Sequence, residues 1–258
     1  MSFASRKITA QINGIGLTDA APMAIIREVW EDPAESDLTT GEKPLRPGLR
    51  VLGFKRTRLN VRIDFVLKDI NNLSARSAAL DAVNTWATDG LLYLSNKPGK
   101  QLPIIITKHA ALNAMRDYTQ VYTVECAAIG CPYWQNVSMS TAAVSGSSGN
   151  VALTVSGNLE NMPLEFSLSG SGGLSSLTVS LNGKSMSFSG LSVPAGTPLI
   201  LRYDENMLQW ITAGGSSVVS SRSGNSADDL FAHPGSNTIS FSANTSLSGT
   251  FRVRGLWK

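Results

Sequence analysis

The sequence predicts a mainly β protein in which an N-terminal α+β domain, residues 1–134, precedes a C-terminal β-sandwich, residues 135–258. From Met162 to Lys258, short runs of alternating apolar and polar residues are separated by Gly, Ser and Asn turns. One amphipathic segment interrupts the strands of the first half. Residues 1–134 also carry 16 of the 22 basic and 13 of the 19 acidic residues, so composition divides the chain at the same place.

The first two predicted strands are Phe3–Ile12 and Met23–Trp30, which flank the turn region NGIGLTDAAP. The next eighteen residues, Glu31–Gly48, are dense in charge, Pro, Gly and Thr. Their composition predicts a long loop, and a loop of this length in a compact domain is usually functional or disordered.

Apolar and polar residues alternate from Thr57 to Leu67, which predicts one long strand. Eleven residues extend about 36 Å, well beyond the usual strand of about five or six residues. This length favours pairing with a neighbouring subunit. Arg58 and Arg62 lie on the polar side of the strand, in a basic cluster with Arg50, Lys55 and Arg56. Because Asp64 and Asp69 follow the cluster, a solvated face or a subunit interface explains it better than a nucleic-acid site.

The amphipathic segment predicts a helix from Leu73 to about Thr88, with Asn72 as its N-cap and Asp89-Gly90 as its stop signal. Its apolar stripe comprises Leu73, Ala79, Leu80, Val83, Trp86 and Ala87. Arg76 points into the middle of this stripe. Either its stem lies along the core and its guanidinium reaches water, or the guanidinium pairs with a carboxylate or backbone carbonyls, within the domain or across an interface.

Three more strands complete the N-terminal domain: Leu91–Leu94, Leu102–Lys108 and Tyr118–Ala127. In the C-terminal domain, apolar residues of period two predict one buried and one solvated sheet face. The aromatic residues that share the parity of the buried aliphatics are Phe188, Tyr203, Phe241, Phe251 and Trp257. Trp210 is the exception, because its surroundings do not decide between the two faces.

The composition argues against several functional classes. A net charge of +3 is too small for a typical nucleic-acid binder. The sequence has neither a signal-peptide core nor 18 uninterrupted apolar residues, so we expect synthesis in the cytoplasm and no membrane span. In that reducing compartment Cys126 and Cys131 are expected to be buried thiols rather than a disulfide.

No cluster of residues predicts catalysis, a cofactor site or a metal site. His109 and His233 lie in different predicted domains. The acidic pair Asp204-Glu205 fits a turn, and Asp228-Asp229 fits the first turn of a helix that Ser226 would cap. We therefore predict that the protein is not an enzyme, and a glycan hydrolase is the weakest alternative because no acid/base pair is evident. A glycan-binding module is a stronger alternative, with Trp210 as the possible ligand-contact aromatic residue, although sugar platforms need exposed rings.

The order of these features resembles the distal tail proteins (Dit) of long-tailed, non-contractile bacteriophages. In the first half, the likeness rests on NVRIDFVLKD, the helix with its WATDG end, LLYLSNKPGK and CPYWQN. In the second half it rests on NMPLEFSLSG, SLTVSLNGKSMSFSG, AGTPLILRYD, SADDLFAHPGSNTISFSA and TFRVRGLWK. Each motif is weak alone, but their joint order covers nearly the whole chain.

The resemblance implies a structural virion protein at the tail tip. The N-terminal domain, with a split-barrel-like sheet, would form a hexameric ring around a channel through which DNA passes. The C-terminal domain would be a galectin-like or jelly-roll-like sandwich. Implied partners are the tail-tube protein, a tail-associated hub or lysin protein, and receptor-binding or fibre proteins, with Arg58, Arg62 and Arg76 as candidate interface residues and no cofactor.

Overall fold

The computed structural model describes residues 8–32, 36–42, 49–56, 58–68, 72–112, 120–204 and 208–258; for 36–42 and 49–56 it describes the backbone. The chain divides into two compact units, an N-terminal unit of residues 1–134 and a C-terminal unit of residues 135–258. Both consist mainly of strands, so the predicted mainly β class is confirmed.

The N-terminal unit has, in chain order, β1 (Ala10–Ile12), β2 (Ile15–Gly16), α1 (Leu17–Ala20), β3 (Ala24–Asp32), β4 (Ser36–Glu42), β5 (Leu49–Arg56), β6 (Asn60–Leu67), α2 (Leu73–Trp86), β7 (Gly90–Leu94), β8 (Lys100–Lys108) and β9 (Tyr122–Ala128). Seven strands form a curled sheet in the order β2-β1-β7-β8-β9-β6-β3. Every pairing along this path is antiparallel.

Helix α2 begins where the sequence predicts, because the Asn72 side chain accepts a hydrogen bond from the Ala75 amide at 2.7 Å. It ends at Trp86 rather than near Thr88, and the Trp86 indole donates to the Ile15 carbonyl at 2.8 Å. The buried side chains of the helix are Arg76, Leu80, Val83 and Trp86. The expected stripe is therefore correct except at Leu73, which is 52% exposed in the first turn, and at Ala79, which is half-buried.

The predicted loop Glu31–Gly48 is wrong where the structure describes it, and residues 33–35 and 43–48 lie outside the described residues. Strand β3 continues to Asp32, and β4 pairs with β5 in an antiparallel two-stranded ribbon, residues 36–42 and 49–56. The ribbon continues the β3–β6 register, in which Asp32 opposes Asn60 and Ser36 then opposes Arg56. The polar, Thr-rich composition of this segment did not predict a strand. Hydrogen bonds to the neighbouring strand supply much of its stability, and the local sequence pattern does not show them.

Three other strand predictions begin too early. The predicted strand Tyr118–Ala127 is β9, which starts at Tyr122, and residues 118–119 lie outside the described residues. Of Phe3–Ile12, only Ala10–Ile12 is a strand among the described residues, and residues 3–7 lie outside them. The strand predicted from Thr57 is β6, which starts at Asn60, and Thr57 lies outside the described residues. At its first residue, Asn60, strand β6 opposes both Asp32 on β3 and Ala127 on β9.

After β10 (Trp134–Asn136) at the boundary, the C-terminal unit contains β11 (Ser140–Val155), β12 (Met162–Gly170), β13 (Leu174–Leu181), β14 (Lys184–Val193), β15 (Pro198–Tyr203), β16 (Gln209–Ala213), β17 (Ser216–Ser217), a 3-10 turn (Val219–Ser221), β18 (Phe231–Ala232), β19 (Gly235–Val253) and β20 (Leu256–Trp257). Among the described residues no helix follows Ser226, so the helix predicted there is wrong.

Strand β19 is the central strand of the C-terminal unit. Its first half pairs with β13, its second half pairs with β12, and β11 runs along its other side for nearly its full length. The β11–β19 register shifts between Gly146 and Ser148. A shift of this kind bends a ribbon so that it passes from one layer of a sandwich to the other. At Gly249 the chain has a φ of +146°, and an added Cβ would collide with the Ser167 carbonyl oxygen.

Candidate interaction surfaces

A row of charged side chains crosses the sheet of the N-terminal unit. Trp30 on β3 opposes Arg62 on β6, which opposes Glu125 on β9, which opposes Lys108 on β8. Lys108 Nζ lies 3.0 Å from Glu125 Oε1. Trp30 is 52% exposed, although it is a large aromatic residue. We call these four residues the charged row, and they combine an exposed ring with charges of both signs.

Asp64, two residues from Arg62 on β6, anchors the charged row. It is only 6% exposed, and its carboxylate accepts hydrogen bonds from Arg62 Nε at 2.9 Å and Thr123 Oγ1 at 2.6 Å. Arg62 Nη2 contacts the second carboxylate oxygen at 2.8 Å. Burial pushes the pKa of Asp64 upward, but the hydrogen bonds from Arg62, Thr123 and Trp30 outweigh it, so the pKa lies below its usual value. Asp64 is therefore a fixed negative charge that orients Arg62.

The lowered pKa of Asp64 predicts pH-dependent stability. A depressed carboxyl pKa stabilises the fold above the unfolded-state pKa of about 3.9, and this contribution is lost as the pH falls through the folded-state value. We expect Asp64→Asn to lower the free energy of unfolding at pH 7. The difference in unfolding free energy between wild type and Asp64→Asn, which we call the gap, should become smaller towards pH 3. Urea unfolding at several pH values measures this gap. Asp81→Asn, on the exposed side of α2, is the control, and a constant Asp64→Asn gap would contradict the assignment.

The three predicted interface arginines lie in different settings. Arg58 is exposed just before β6, and the Arg62 side chain is 52% exposed within the charged row. Arg76 is 8% exposed in the buried stripe of α2. The other members of the predicted basic cluster, Arg50, Lys55 and Arg56, have side chains outside the described residues. Their proposed role at an interface stays a prediction.

A contact that the sequence did not suggest fixes the end of β3. Glu31 Oε2 accepts a hydrogen bond from the Trp134 indole at 2.9 Å and lies 2.8 Å from Lys97 Nζ. The same ammonium lies 5.0 Å from the centre of the Trp134 ring, which is a cation-π distance. Glu31 and Trp134 are 103 residues apart, so no local pattern signals this contact.

A cleft of about 330 Å³ lies between β1, α1 and β3 in the N-terminal unit. We call it the seam cleft, because it lies between β3 at one end of the sheet path and β1 near the other end. It is lined partly by the apolar residues Ile8, Leu17, Ile25 and Ile26. The seam cleft gives the unit a second surface with apolar character.

In the C-terminal unit, Phe188, Phe241 and Phe251 are buried as predicted, whereas Tyr203 and Trp257 are only half-buried. The polar tips of these two rings explain the difference. The Tyr203 hydroxyl donates to Asp229 Oδ1 at 2.8 Å, and the Trp257 indole donates to Asn136 Oδ1 at 2.7 Å. Burial raises the pKa of Tyr203, so its hydroxyl remains a donor.

The acidic pair Asp228-Asp229 belongs to a hydrogen-bond network rather than to a helix start. Arg222 Nη2 lies 2.6 Å from Asp228 Oδ1, and Gln209 Nε2 donates to Asp229 Oδ1 at 3.1 Å. These contacts satisfy the charges locally. They therefore give both carboxylates partners within the fold.

Trp210 on β16 is 50% exposed, which resolves the ambiguity that the sequence left. Its indole donates to Asp204 Oδ2 at 3.3 Å. On the adjacent strand β15, Arg202 is directly opposite Trp210. Leu208, two residues before Trp210, is 59% exposed.

The described residues contain no group of three or more His, Cys, Asp and Glu side chains placed to hold a metal ion. Cys126 and Cys131 are buried thiols, and burial raises the pKa of Cys126 to about 12. Throughout the described part of the chain, no helix is both long and apolar enough to cross a membrane.

No protein-family model and no curated protein matches this chain. Its structure is similar to the Dit protein of phage SPP1, described as a paradigm of the hub adsorption apparatus in phages that infect Gram-positive bacteria. That match has a TM-score of 0.66 at 14% identity and covers 96% of this chain and 98% of the other. The resemblance predicted from the sequence is therefore confirmed at the level of the fold.

Two further matches come from the activated baseplate of phage p2, one with Sr and one with Ca, each with a TM-score of 0.43 and 6% identity. The first covers 96% of this chain and 97% of the other, and the second covers 90% of each.

Proposed function

We propose that this protein is a structural hub subunit of a long, non-contractile phage tail, located in the virion at the tail tip. Its N-terminal unit would form a hexameric ring at the end of the tail tube, and its C-terminal unit would hold baseplate or receptor-binding components. The observation that carries this proposal is the fold shared with SPP1 Dit over almost the full length of both chains. The role assigned to the chain is assembly, with no enzymatic activity.

The β4–β5 ribbon supports assembly through the N-terminal unit. It prolongs the β3–β6 pair, and among the described residues β4 and β5 pair only with each other. An isolated two-stranded hairpin is marginally stable in water, and unpaired strand edges readily accept another chain. A neighbouring copy in a ring would supply the missing contacts.

The charged row supports the same proposal. Asp64 fixes one of the two guanidinium edges of Arg62, and the arginine side chain remains half exposed beside Trp30. Exposed Trp and Arg are the residue types most enriched among the energetically dominant residues of protein interfaces. Fixing Arg62 before association also reduces the entropy that binding removes.

The partners in this proposal are other copies of the chain, the tail-tube protein, a hub or lysin protein and fibre or receptor-binding proteins. DNA would only pass through the ring. The ring has a closed, head-to-tail symmetry, so one surface of each N-terminal unit meets a different surface of the next.

Oligomeric state tests the proposal. We expect the full chain to form a higher oligomer at high concentration or on purified tail tubes, as measured by native mass spectrometry and light scattering. Raising the salt concentration should weaken any contact made by exposed charges, because screening acts within about 8 to 10 Å at ordinary ionic strength.

The charge reversal Arg58→Glu, at an exposed position of the N-terminal unit, should weaken the oligomer without lowering the melting temperature. Lys258→Glu is the matched control, because it reverses an exposed charge in the C-terminal unit. A chain that stays monomeric even on tail tubes would refute ring formation. If Arg58→Glu and Lys258→Glu weaken the oligomer equally, Arg58 does not lie at the interface.

A further inference from the structure

The outer face of the C-terminal sandwich carries an exposed aromatic residue that lies in neither the charged row nor the β4–β5 ribbon. Trp210 is 50% exposed, whereas Phe188, Phe241 and Phe251 of the same unit are each at most 5% exposed. Its indole N–H donates to Asp204, the residue that follows β15. An exposed indole that is fixed in this way presents an apolar surface at little further cost in side-chain entropy.

Polar side chains extend from Trp210 across three more strands. Arg202 on β15 opposes Trp210, and Glu165 on β12 opposes Arg252 on β19. The two pairs adjoin, because Glu165 Oε1 accepts a hydrogen bond from the amide of Tyr203, the residue after Arg202. Trp210, Arg202, Glu165 and Arg252 therefore form one row, which we call the tryptophan row.

The tryptophan row retains unused hydrogen-bonding capacity. Arg202 is exposed and forms no hydrogen bond or ion pair with the residues that the structure describes. Glu165 is half-buried, and burial raises its pKa, because the hydrogen bond from the Tyr203 amide and the nearby cations Arg254, Arg252 and Arg202 offset the burial only in part. Arg202 therefore lies on the strand next to the exposed ring, with Glu165 on the second strand and Arg252 on the third, and the guanidinium of Arg202 retains its full set of donors.

We propose that the tryptophan row is a saccharide subsite. The apolar face of a pyranose ring would lie against the Trp210 indole, Arg202 would donate hydrogen bonds to its hydroxyl groups, and Glu165 would accept one. This site goes beyond the hub role, and it does not depend on ring assembly.

The composition of the neighbouring positions favours a saccharide over a protein. The next outward positions on β12 and β19 are Ser167, opposite Thr250, and Ser169, opposite Ser248. Interface cores between proteins are depleted in Ser and enriched in apolar and aromatic residues. Besides the Trp210 indole, the only other large exposed apolar side chain among the described residues 208–213 is Leu208, and the face otherwise carries charged and small hydroxyl side chains. Such a face offers little area for a protein hot spot, but it offers many partners for sugar hydroxyl groups.

A glycan array of bacterial cell-wall and capsular saccharides, probed with the full chain, would identify ligands. Isothermal calorimetry with the soluble form of the best-bound saccharide then gives the affinity of a single site, free from the avidity of an oligomer. We expect Trp210→Ala to weaken this affinity at least about tenfold, Trp210→Phe to weaken it less, and Arg202→Gln to weaken it measurably.

Leu73→Ala is the control, because Leu73 is a large apolar residue that is 52% exposed in the N-terminal unit and lies outside the charged row, and the saccharide affinity of this variant should equal that of wild type. Melting curves should confirm that the exposed substitutions leave the C-terminal unit folded. Absence of saccharide binding by wild type would overturn the proposal. Equal affinity of Trp210→Ala and wild type would overturn it as well, as would a Trp210-dependent complex with a tail protein in the absence of any saccharide. None of these results bears on ring assembly.

Discussion

Replacing Arg76 with Ala is expected to lower the free energy of unfolding by about 3 to 5 kcal/mol, the cost of removing one member of a buried charged pair. Arg76 is 8% exposed and lies on the side of α2 that also buries Leu80 and Val83. A buried guanidinium is retained only where its donors are satisfied, since an unsatisfied buried charge is strongly unfavourable. Its removal would leave those acceptors without a donor and would create a cavity.

Arg76→Lys should rescue little of this loss. The planar guanidinium can serve several acceptors at once, whereas the ammonium of lysine is a compact, strongly hydrated charge. Thermal and urea unfolding of Arg76→Ala and Arg76→Lys measure the effect, and assembly assays show whether ring formation fails with it.

Arg58→Ala is the control, because Arg58 is exposed and exposed charge pairs contribute only about 0 to 1 kcal/mol. Wild-type melting and assembly in Arg76→Ala would show that the Arg76 side chain only covers apolar surface and that its head group reaches water.

Replacing Phe251 with Ala is expected to destabilise the C-terminal unit by about 3 to 5 kcal/mol, the usual cost of truncating a buried aromatic residue. Phe251 is fully buried on the central strand β19, between Ala142 on β11 and Phe166 on β12. Its ring centre lies 6.2 Å from that of Phe166, edge to face, and 6.3 Å from that of Phe241. Truncation therefore removes two aromatic contacts and leaves a cavity where both layers meet.

Phe251→Leu should cost less, because it keeps most of the apolar volume. Ser248→Ala, an exposed position on the same strand, serves as the control and should change stability by no more than about 0.5 kcal/mol. Calorimetry of the full chain would measure this loss of stability as a lower melting temperature of the C-terminal unit. A loss below about 1 kcal/mol in Phe251→Ala would contradict the assigned role of this residue in the core.

The sequence correctly predicted features whose cause is local. Alternating apolar residues identified the strands of the sandwich and placed Phe188, Phe241 and Phe251 inside it. The start of α2 was also predictable, because its cap is a hydrogen bond between residues three positions apart, Asn72 and Ala75. Helical periodicity likewise showed that Arg76 belongs to the apolar stripe, and the structure buries this residue.

Tyr203 and Trp257 show where periodicity fails. Both have the parity of core residues, yet both are half-buried because a polar atom of each ring reaches a hydrogen-bond partner. Asp228-Asp229 is a similar case, since a helix cap and a long-range network require the same residue types. In each case the choice depends on partners that are distant in sequence.

By itself the sequence determined the mainly β class, the cap of α2, the strand faces and the resemblance to distal tail proteins. The strand and helix faces were predictable because periods of 2 and 3.6 residues show which side of an element is buried. Only the tertiary structure revealed the β4–β5 ribbon, the contact of Glu31 with Trp134 across 103 residues, and the exposure of Trp210 beside Arg202. Pairing partners and edge positions are set by which strands meet in space, and a local pattern carries no record of that choice.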